Sequence, residues 1–175
     1  MKNILIAITG SIAAYKAADL VVELNNLGFN TKVIMSSASL DFITEKTMTI
    51  LSKNLVLTDK NNYLNPFVEH VEYAKWCDCF VIVPATANTI SKLAYGIADN
   101  IITTTALCLD ESVKKIICPA MNNKMYSNSI IENNLTILKQ NGYIEVEPIE
   151  TQLACGDFAK GGLASISEII NKIKD

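Results

Sequence analysis

Short apolar runs alternate with longer amphipathic segments along most of the chain. The runs are rich in β-branched residues, as in strands that a sheet buries on both faces. The longer segments repeat their apolar residues at helical spacing. The pattern therefore predicts an α/β fold, a Rossmann-like or flavodoxin-like open parallel sheet with helices on both faces. The predicted strands are 3–8, 30–35, 55–57, 80–83, 115–118 and 143–146, and the predicted helices are 12–27, 40–51, 70–77, 90–98, 101–109, 125–141 and 165–173.

Four places fit this alternation less well. Residues 53–67 lack a clear period and are rich in asparagine, which predicts a long loop. Residues 153–163 contain glycines and predict a second loop. The β-branched residues of 101–109 leave a strand open as an alternative to the helix. Pro84 is expected to end the strand before it, because proline has no N–H to donate to a sheet.

Polar turns follow four of the predicted strands, at Gly10–Ser11, Ser36–Ser37, Thr86–Thr89 and Ala120–Asn123. In a doubly wound sheet, ligands bind beyond the carboxyl ends of the strands, where the strand order reverses. These turns carry hydroxyls, amides and small residues with almost no charge, which suits a neutral or anionic cofactor held by hydroxyl and backbone groups. Any one of them is equally consistent with an ordinary connecting turn.

The first turn narrows the choice of cofactor. A dinucleotide site would show three glycines in the spacing Gly-x-Gly-x-x-Gly, and a P-loop would show a lysine after its glycines. The chain has only Gly10, followed by Ser11. A single phosphate at Ser11 fits better, and this favours a mononucleotide such as FMN over NAD.

Composition excludes several classes of protein. With 175 residues, 50% of them hydrophobic, and a net charge of −3, the chain is expected to form a single domain over 1–175 that does not bind nucleic acid. No run of about 18 apolar residues predicts a membrane span. Five cysteines and one histidine make neither a disulfide framework nor a metal site. These features predict a cytoplasmic protein.

Five motifs occur in order along the chain: Thr9–Lys16 (TGSIAAYK), His70–Trp76 (HVEYAKW), Pro84–Thr89 (PATANT), Pro119–Met125 (PAMNNKM) and Ala154–Asp157 (ACGD). Together they resemble the flavin-dependent cysteine decarboxylase family over essentially the whole chain. Within that family, the chain is most similar to the branch that acts on 4′-phosphopantothenoylcysteine in coenzyme A biosynthesis.

The resemblance implies a reaction and an assembly. It implies FMN bound at a subunit interface of a homotrimer, or of a dodecamer built of trimers. In the family's reaction, flavin takes a hydride from the carbon that bears the thiol, and the resulting thioaldehyde loses CO₂. The ene-thiolate that remains is reduced again and protonated, which gives 4′-phosphopantetheine. The length of the chain predicts a stand-alone enzyme without the synthetase domain that many bacterial relatives carry.

The resemblance also assigns three catalytic residues. It implies that His70 is the base, that Asn122 binds the substrate carboxylate and that Cys155 donates the final proton. From residue type alone, His70 is more often a surface or capping residue, Asn122 a helix cap and Cys155 an inert thiol. The predicted FMN contacts are Gly10, Ser11, Ser36, Ser37, Thr86, Ala87, Asn88, Thr89 and Ala120. The predicted substrate contacts are Asn122, Met125, Ala154 and Lys160.

Two alternative functions stay open on the residues. A peptidyl-cysteine decarboxylase of the lantibiotic type would lack the motif around Cys155. A non-catalytic, flavin-binding regulatory subunit would not need His70, Asn122 and Cys155 together. A flavin prenyltransferase has a related fold, but its first turn is richer in glycine. The chain departs from the family pattern at 158–165, which puts the contacts of the substrate-covering loop in doubt.

Overall fold

A six-stranded parallel sheet forms the centre of the molecule. The computed structural model describes residues 2–60 and 68–175. The strand order is β3-β2-β1-β4-β5-β6, so the chain winds outward from β1 in both directions. The predicted flavodoxin-like sheet is thereby confirmed. The strands are β1 Asn3–Ile8, β2 Asn30–Met35, β3 Leu57–Thr58, β4 Cys79–Ala85, β5 Lys114–Pro119 and β6 Tyr143–Glu145.

Helices cover both faces of the sheet. Helices α1, α2 and α8 pack on one face, and α3, α4, α5 and α7 pack on the other. Two short 3-10 turns, at Ile12–Tyr15 and Ser37–Asp41, follow β1 and β2. The helices are α1 Lys16–Asn26, α2 Glu45–Ser52, α3 Glu69–Trp76, α4 Ala87–Ala94, α5 Ile101–Leu107, α6 Asn123–Tyr126, α7 Ser129–Gln140 and α8 Ile166–Lys174.

The side chains of the unbroken apolar runs pack into two separate hydrophobic cores, one on each face of the sheet. In β1, Ile4 and Ile6 point into the core on the α1 side, and Leu5 points into the core on the α5 side. The same alternation holds in β4, where Val81 and Phe80 belong to opposite cores. Side chains of a strand alternate between the faces, so a strand with helices on both sides must be apolar at every position.

An N-cap residue explains why 101–107 forms a helix and not a strand. The side chain of Asn100 accepts hydrogen bonds from the N–H groups of Ile102 and Thr103, both 3.1 Å long. An N-cap that satisfies two of the first N–H groups favours a helix in spite of the β-branched residues that follow. The helical prediction is therefore the correct one of the two alternatives.

Several predicted boundaries are wrong. The predicted helices 40–51 and 90–98 run over Glu45–Ser52 and Ala87–Ala94, and two further differences have a clear cause. Pro84 does not end its strand, because β4 continues to Ala85. The pairing of β4 with β5 is irregular between Ile82 and Ala85, and the proline falls inside that irregularity, where no regular N–H donor is needed. The predicted helix 125–141 is two helices, because the side chain of Asn128 accepts from the N–H of Ile130 and begins α7.

The predicted loop at 153–163 is largely a β-hairpin. Strand β7 (Ile149–Gln152) pairs antiparallel with β8 (Phe158–Gly162) as a second, two-stranded sheet. The loop predicted at 53–67 includes 61–67, which lie outside the described residues. None of the helices in the described ranges has the length and apolarity needed to cross a membrane. The assignment of 1–175 to a single domain stays a prediction.

Candidate functional site

A cavity of about 710 Å³ opens at the carboxyl ends of β1, β4 and β5. It lies where the strand order reverses around β1, the position at which open α/β sheets bind ligands. The turns after these three strands form its floor, and the hairpin β7–β8 forms its other wall. Of the predicted site residues, those that line it are Gly10, Ser11, Thr86, Ala87, Asn88, Ala120, Asn122, Met125, Ala154 and Cys155.

The first turn is shaped by a close approach of two loops. A Cβ on Gly10 would lie 2.6 Å from the Cβ of Ala38, in the turn after β2. Only glycine allows this contact. Ser11 Oγ accepts a hydrogen bond from Ala13 N–H (3.3 Å) and donates to the carbonyl of Ala120 (3.5 Å). The turns after β1, β2 and β5 are thus held together at the edge of the cavity.

A buried hydroxyl joins β1 to the turn after β4. Thr9 Oγ1 donates to the carbonyl of Pro84 (2.6 Å) and accepts from Thr86 N–H (3.1 Å). Thr86 in turn caps α4 by accepting from Thr89 N–H (3.3 Å). Thr89 is buried and does not line the cavity, so its predicted FMN contact stays a prediction. Sequence reasoning missed Thr9, which opens the first motif.

Ser36 and Ser37 lie beside the cavity rather than in its lining. The Asp59 carboxylate fixes Ser37 by accepting from its N–H and its Oγ, both at 2.8 Å. Its other oxygen accepts from Ile101 N–H at 2.8 Å. Ser36 Oγ is buried and has no hydrogen-bond partner within the described part of the chain. A buried hydroxyl in that state is suited to a ligand group.

Asn122 and Cys155 meet in the cavity. Asn122 Oδ1 accepts from Lys124 N–H (2.9 Å) as the N-cap of α6, and Asn122 Nδ2 points at Cys155 Sγ (3.4 Å). Cys155 Sγ donates to a carboxylate oxygen of Asp157 at 3.5 Å. The cap fixes the orientation of the amide, so its N–H₂ group is the end presented to the cavity.

The remaining cysteines differ from Cys155 in exposure or position. Burial raises the pKa of Cys77 to about 12 and that of Cys79 to about 11, and it raises the pKa of Cys118 as well. These three thiols stay protonated at neutral pH. Cys108 is exposed but does not line the cavity. Cys155 is therefore the accessible thiol of this cavity.

The hairpin is bonded to the end of the main sheet. Met121 N–H donates to the carbonyl of Gly161 at 3.0 Å. The hairpin tip closes through Leu153 N–H and the carbonyl of Asp157 (2.8 Å), with Gly156 at a φ of +92°. This short closed tip holds Cys155 over the turn that carries Asn122.

Two further predicted site residues are not part of the cavity lining. His70 is the second residue of α3, is half-buried and is not part of the cavity lining. Lys160 is also outside the lining, and its Nζ pairs with Glu147. The cavity of one chain therefore brings together Asn122 and Cys155 but does not include the histidine, and the roles of His70 and Lys160 stay predictions.

A lysine that sequence reasoning left out does line the cavity. Lys16 is the only charged residue in its lining within the described residues. It is the first residue of α1 and the last of the first motif. A lone ammonium in a neutral cavity is a natural partner for an anionic substrate group.

Comparisons with known proteins agree with this geometry. The family model described as Flavoprotein matches residues 1–175. The chain is 46% identical to a probable phosphopantothenoylcysteine decarboxylase of Streptococcus mutans, over 99% of this chain and 98% of that protein. It is 42% identical to the coenzyme A biosynthesis bifunctional protein CoaBC of Bacillus subtilis, over 97% of this chain, and it spans 41% of that protein's length.

Solved structures of related proteins share the fold of this chain. A PPC decarboxylase mutant complexed with pantothenoylaminoethenethiol superposes with a TM-score of 0.89 at 28% identity, over 99% of this chain and 96% of that one. The FMN binding protein AtHal3 superposes with a TM-score of 0.85 at 29% identity, over 99% of this chain and 95% of that one. The sequence match over the full length and the shared fold lead to one conclusion: the chain belongs to the Flavoprotein family.

Proposed function

We propose that the protein is an FMN-dependent decarboxylase that converts 4′-phosphopantothenoylcysteine to 4′-phosphopantetheine. The observation that carries the proposal is the pair formed by the Asn122 amide and the Cys155 thiol, 3.4 Å apart, inside a cavity at the switch point of the sheet. The name of the Streptococcus mutans relative supports the substrate. The FMN binding protein of the same fold supports the cofactor.

The residues of the cavity suit FMN. Its turns present hydroxyls, amides and small side chains. Beside the cavity, Gly10 lets the turns after β1 and β2 pack closely, and Ser36 Oγ is buried without a partner in the described residues. Ser11 and the turn that begins at Thr86 would hold the cofactor. Bound FMN supplies the acceptance and return of a hydride at the substrate carbon.

Asn122 and Cys155 divide the remaining chemistry between them. The N–H₂ group of Asn122 would bind and orient the substrate carboxylate. A neutral amide holds that group without the ionic attraction that would oppose its loss as CO₂. The Cys155 thiol would give its proton to the ene-thiolate carbon that remains. Asn122 Nδ2 then stands where it can donate to the thiolate, and solvent at the exposed tip restores the thiol proton.

The substrate phosphate needs a cation near the cavity. Lys16 is the charged group of the lining, whereas Lys160 is paired with Glu147 outside it. We therefore assign the phosphate contact first to Lys16. Lys160 would take part only if substrate binding drew it away from Glu147.

A second copy of the chain would supply His70. The sequence resemblance implies an active site at the interface of a homotrimer, and His70 lies outside the cavity of its own chain. We propose that His70 of a neighbouring subunit accepts the thiol proton as the hydride leaves, since a ring nitrogen of imidazole can accept a proton. Whether the trimers assemble further into a dodecamer is part of the same proposal. Five free thiols suit the reducing cytoplasm as its location.

The decisive assay uses FMN-loaded protein and 4′-phosphopantothenoylcysteine without oxygen, with products identified by mass spectrometry. We expect release of CO₂ and formation of 4′-phosphopantetheine. In Cys155→Ser, the reaction should stop at the ene-thiol. An ene-thiol from the wild-type protein would point to the peptide-modifying branch of the family. Unchanged substrate would refute the proposed activity.

Subunit mixing tests the origin of the histidine. His70→Asn and Cys155→Ser proteins, each inactive alone, are unfolded together and refolded at equal amounts. If His70 acts across the interface, one of the three sites in each mixed trimer combines an intact Cys155 with an intact neighbouring His70, which is about a quarter of all sites after random assembly. Activity should return to that level. A mixture that stays inactive, with mixed trimers verified by mass, would place His70 in the site of its own chain or outside catalysis.

A further inference from the structure

The helix that carries the catalytic amide is only one turn long. Helix α6 runs from Asn123 to Tyr126, with Asn122 as its N-cap. Its turn is closed by bonds from Met125 N–H and Tyr126 N–H to the carbonyl of Asn122, both 3.0 Å, and from Ser127 N–H to the carbonyl of Asn123 (2.9 Å). A single turn is unstable on its own, because nucleating a helix costs more than its first hydrogen bonds return. The orientation of α6 must therefore come from contacts outside it.

The tyrosine at the end of α6 provides the most strongly bonded of these contacts. Tyr126 Oη donates to Glu145 Oε1 at 2.9 Å, at the end of β6. The Glu145 side chain is only 4% exposed, and its other oxygen pairs with Lys139 Nζ of α7 at 2.6 Å. Burial, and after it the bond to Glu145, raises the pKa of Tyr126, so the phenol keeps the proton that it donates. The ring of Tyr126 also packs against the core on this face.

A second contact joins the same ring to the hairpin. Lys160 Nζ of β8 lies 5.7 Å from the centre of the Tyr126 ring, within the range of a cation–π contact. Tyr126 thus touches the three parts of the molecule that must keep their places during the reaction: the main sheet, α6 and the hairpin that bears Cys155. By contrast, neither Tyr126 nor Glu145 lines the cavity.

We propose that Tyr126 is a positioning residue for the decarboxylation: its bond to Glu145 fixes α6, and through α6 it sets the places of the Asn122 amide and the Met125 side chain in the cavity. This inference rests on the proposed function for its effect on turnover. It makes the hydroxyl of Tyr126, rather than its ring alone, important for the rate. Lys139 takes part by holding Glu145 in the orientation that accepts this bond.

Tyr126→Phe tests the proposal, because it removes the hydroxyl and keeps the ring. In FMN-loaded enzyme, kcat should fall about tenfold, since a small misplacement of an orienting group is costly. The dissociation constant of FMN should change less than twofold, because Tyr126 is not part of the cavity lining to which Gly10 and Thr86 belong. Glu145→Gln keeps an acceptor but not the charge, so its kcat should lie between that of the wild type and that of Tyr126→Phe. Tyr143→Phe removes the equivalent hydroxyl from a tyrosine of β6 that does not line the cavity, and this variant should leave kcat unchanged.

Amide hydrogen exchange separates this proposal from the proposed function. Exchange over residues 121–127 of the FMN-loaded protein should be faster in Tyr126→Phe than in Tyr143→Phe, whether or not turnover is seen. If the wild-type protein makes no product, the proposed function is refuted, and the exchange rates alone test whether Tyr126 fixes the position of α6. Equal exchange in the two variants, or a kcat for Tyr126→Phe within twofold of that for Tyr143→Phe, would overturn the proposal.

Discussion

Gly161 lies where the hairpin β7–β8 crosses the end of β5, and it leaves no room for a side chain. A Cβ at this position would be 2.3 Å from the carbonyl oxygen of Met121, whereas ordinary contact begins at 3.4 Å. In Gly161→Ala the hairpin must therefore move away by about 1 Å, because the opposing atom belongs to the backbone and cannot rotate aside. The 3.0 Å bond from Met121 N–H to Gly161 would be lost. We expect a loss of about 1–3 kcal/mol in the free energy of unfolding.

The catalytic effect should exceed the effect on stability. Cys155 moves with the hairpin, and a displacement of 1 Å at a reacting group lowers a rate by up to about 10²-fold. The assay measures kcat and the ratio of 4′-phosphopantetheine to ene-thiol by mass spectrometry. We expect a lower kcat and a larger share of ene-thiol, since the proton from Cys155 is needed only after CO₂ has left.

The neighbouring glycine provides a matched control. A Cβ on Gly162 would lie 2.3 Å from a methyl group of Thr151, which is a side chain that can turn away. Gly162→Ala should therefore cost less than Gly161→Ala, and adding Thr151→Ser should relieve it. An unchanged product ratio in Gly161→Ala, or equal losses in the two alanine variants, would refute the idea that the hairpin is held in place by this crossing.

Three further predictions follow from single side chains. Lys16→Gln should raise KM for the phosphorylated substrate about tenfold and leave KM for its dephosphorylated analogue unchanged, because only the phosphorylated substrate loses a charged hydrogen bond. Equal changes in the two KM values would exclude a phosphate contact. Asp59→Ala should weaken FMN binding, measured by flavin fluorescence, about tenfold, because Ser37 loses both of its bonds. Asp110→Ala removes a carboxylate with the same two kinds of bond far from the cavity and should not change that affinity. The pKa of Glu147 is lowered, chiefly by its hydrogen bond to a lysine, so its ion pair stabilises the fold above pH 4.5 and is lost as the pH falls through the lowered value. The melting temperature of Glu147→Gln should therefore lie slightly below that of the wild type at pH 7. The loss in the free energy of unfolding should be less than about 1 kcal/mol because the ion pair is exposed, and the difference in melting temperature should disappear in acid.

The sheet was predictable from sequence because its strands are buried on both faces. A doubly buried strand such as β4 has to be apolar at every position, and this leaves a clear signal. The turns at the ends of such strands were then identified as the ligand edge. Pro84 misled the prediction, since a proline is tolerated where the pairing of two strands is already irregular.

The hairpin and part of the site left weaker signals. Strand β7 is short and largely exposed, and strand β8 is short, partly buried and ends in two glycines, so no hydrophobic period marks either strand. Lys16 could not be found because the 3-10 turn before α1 decides which side chains of that turn reach the cavity. The proposed place of His70 in the site of a neighbouring subunit would depend on how copies of the chain assemble, and a single sequence contains no direct measure of assembly.

The hairpin forms its own small sheet, and within residues 2–60 and 68–175 it shares no strand pairing with the main one. Its length and the sequence of its tip can therefore change without shifting the register of any strand that carries the cofactor turns. Evolution can exchange the wall of the cavity that the hairpin forms while the turns after β1, β4 and β5 keep their dimensions. An engineer could do the same by grafting a hairpin of different tip sequence between β6 and α8, provided that the crossing at Gly161 and Met121 and the contact of Lys160 with Tyr126 are preserved.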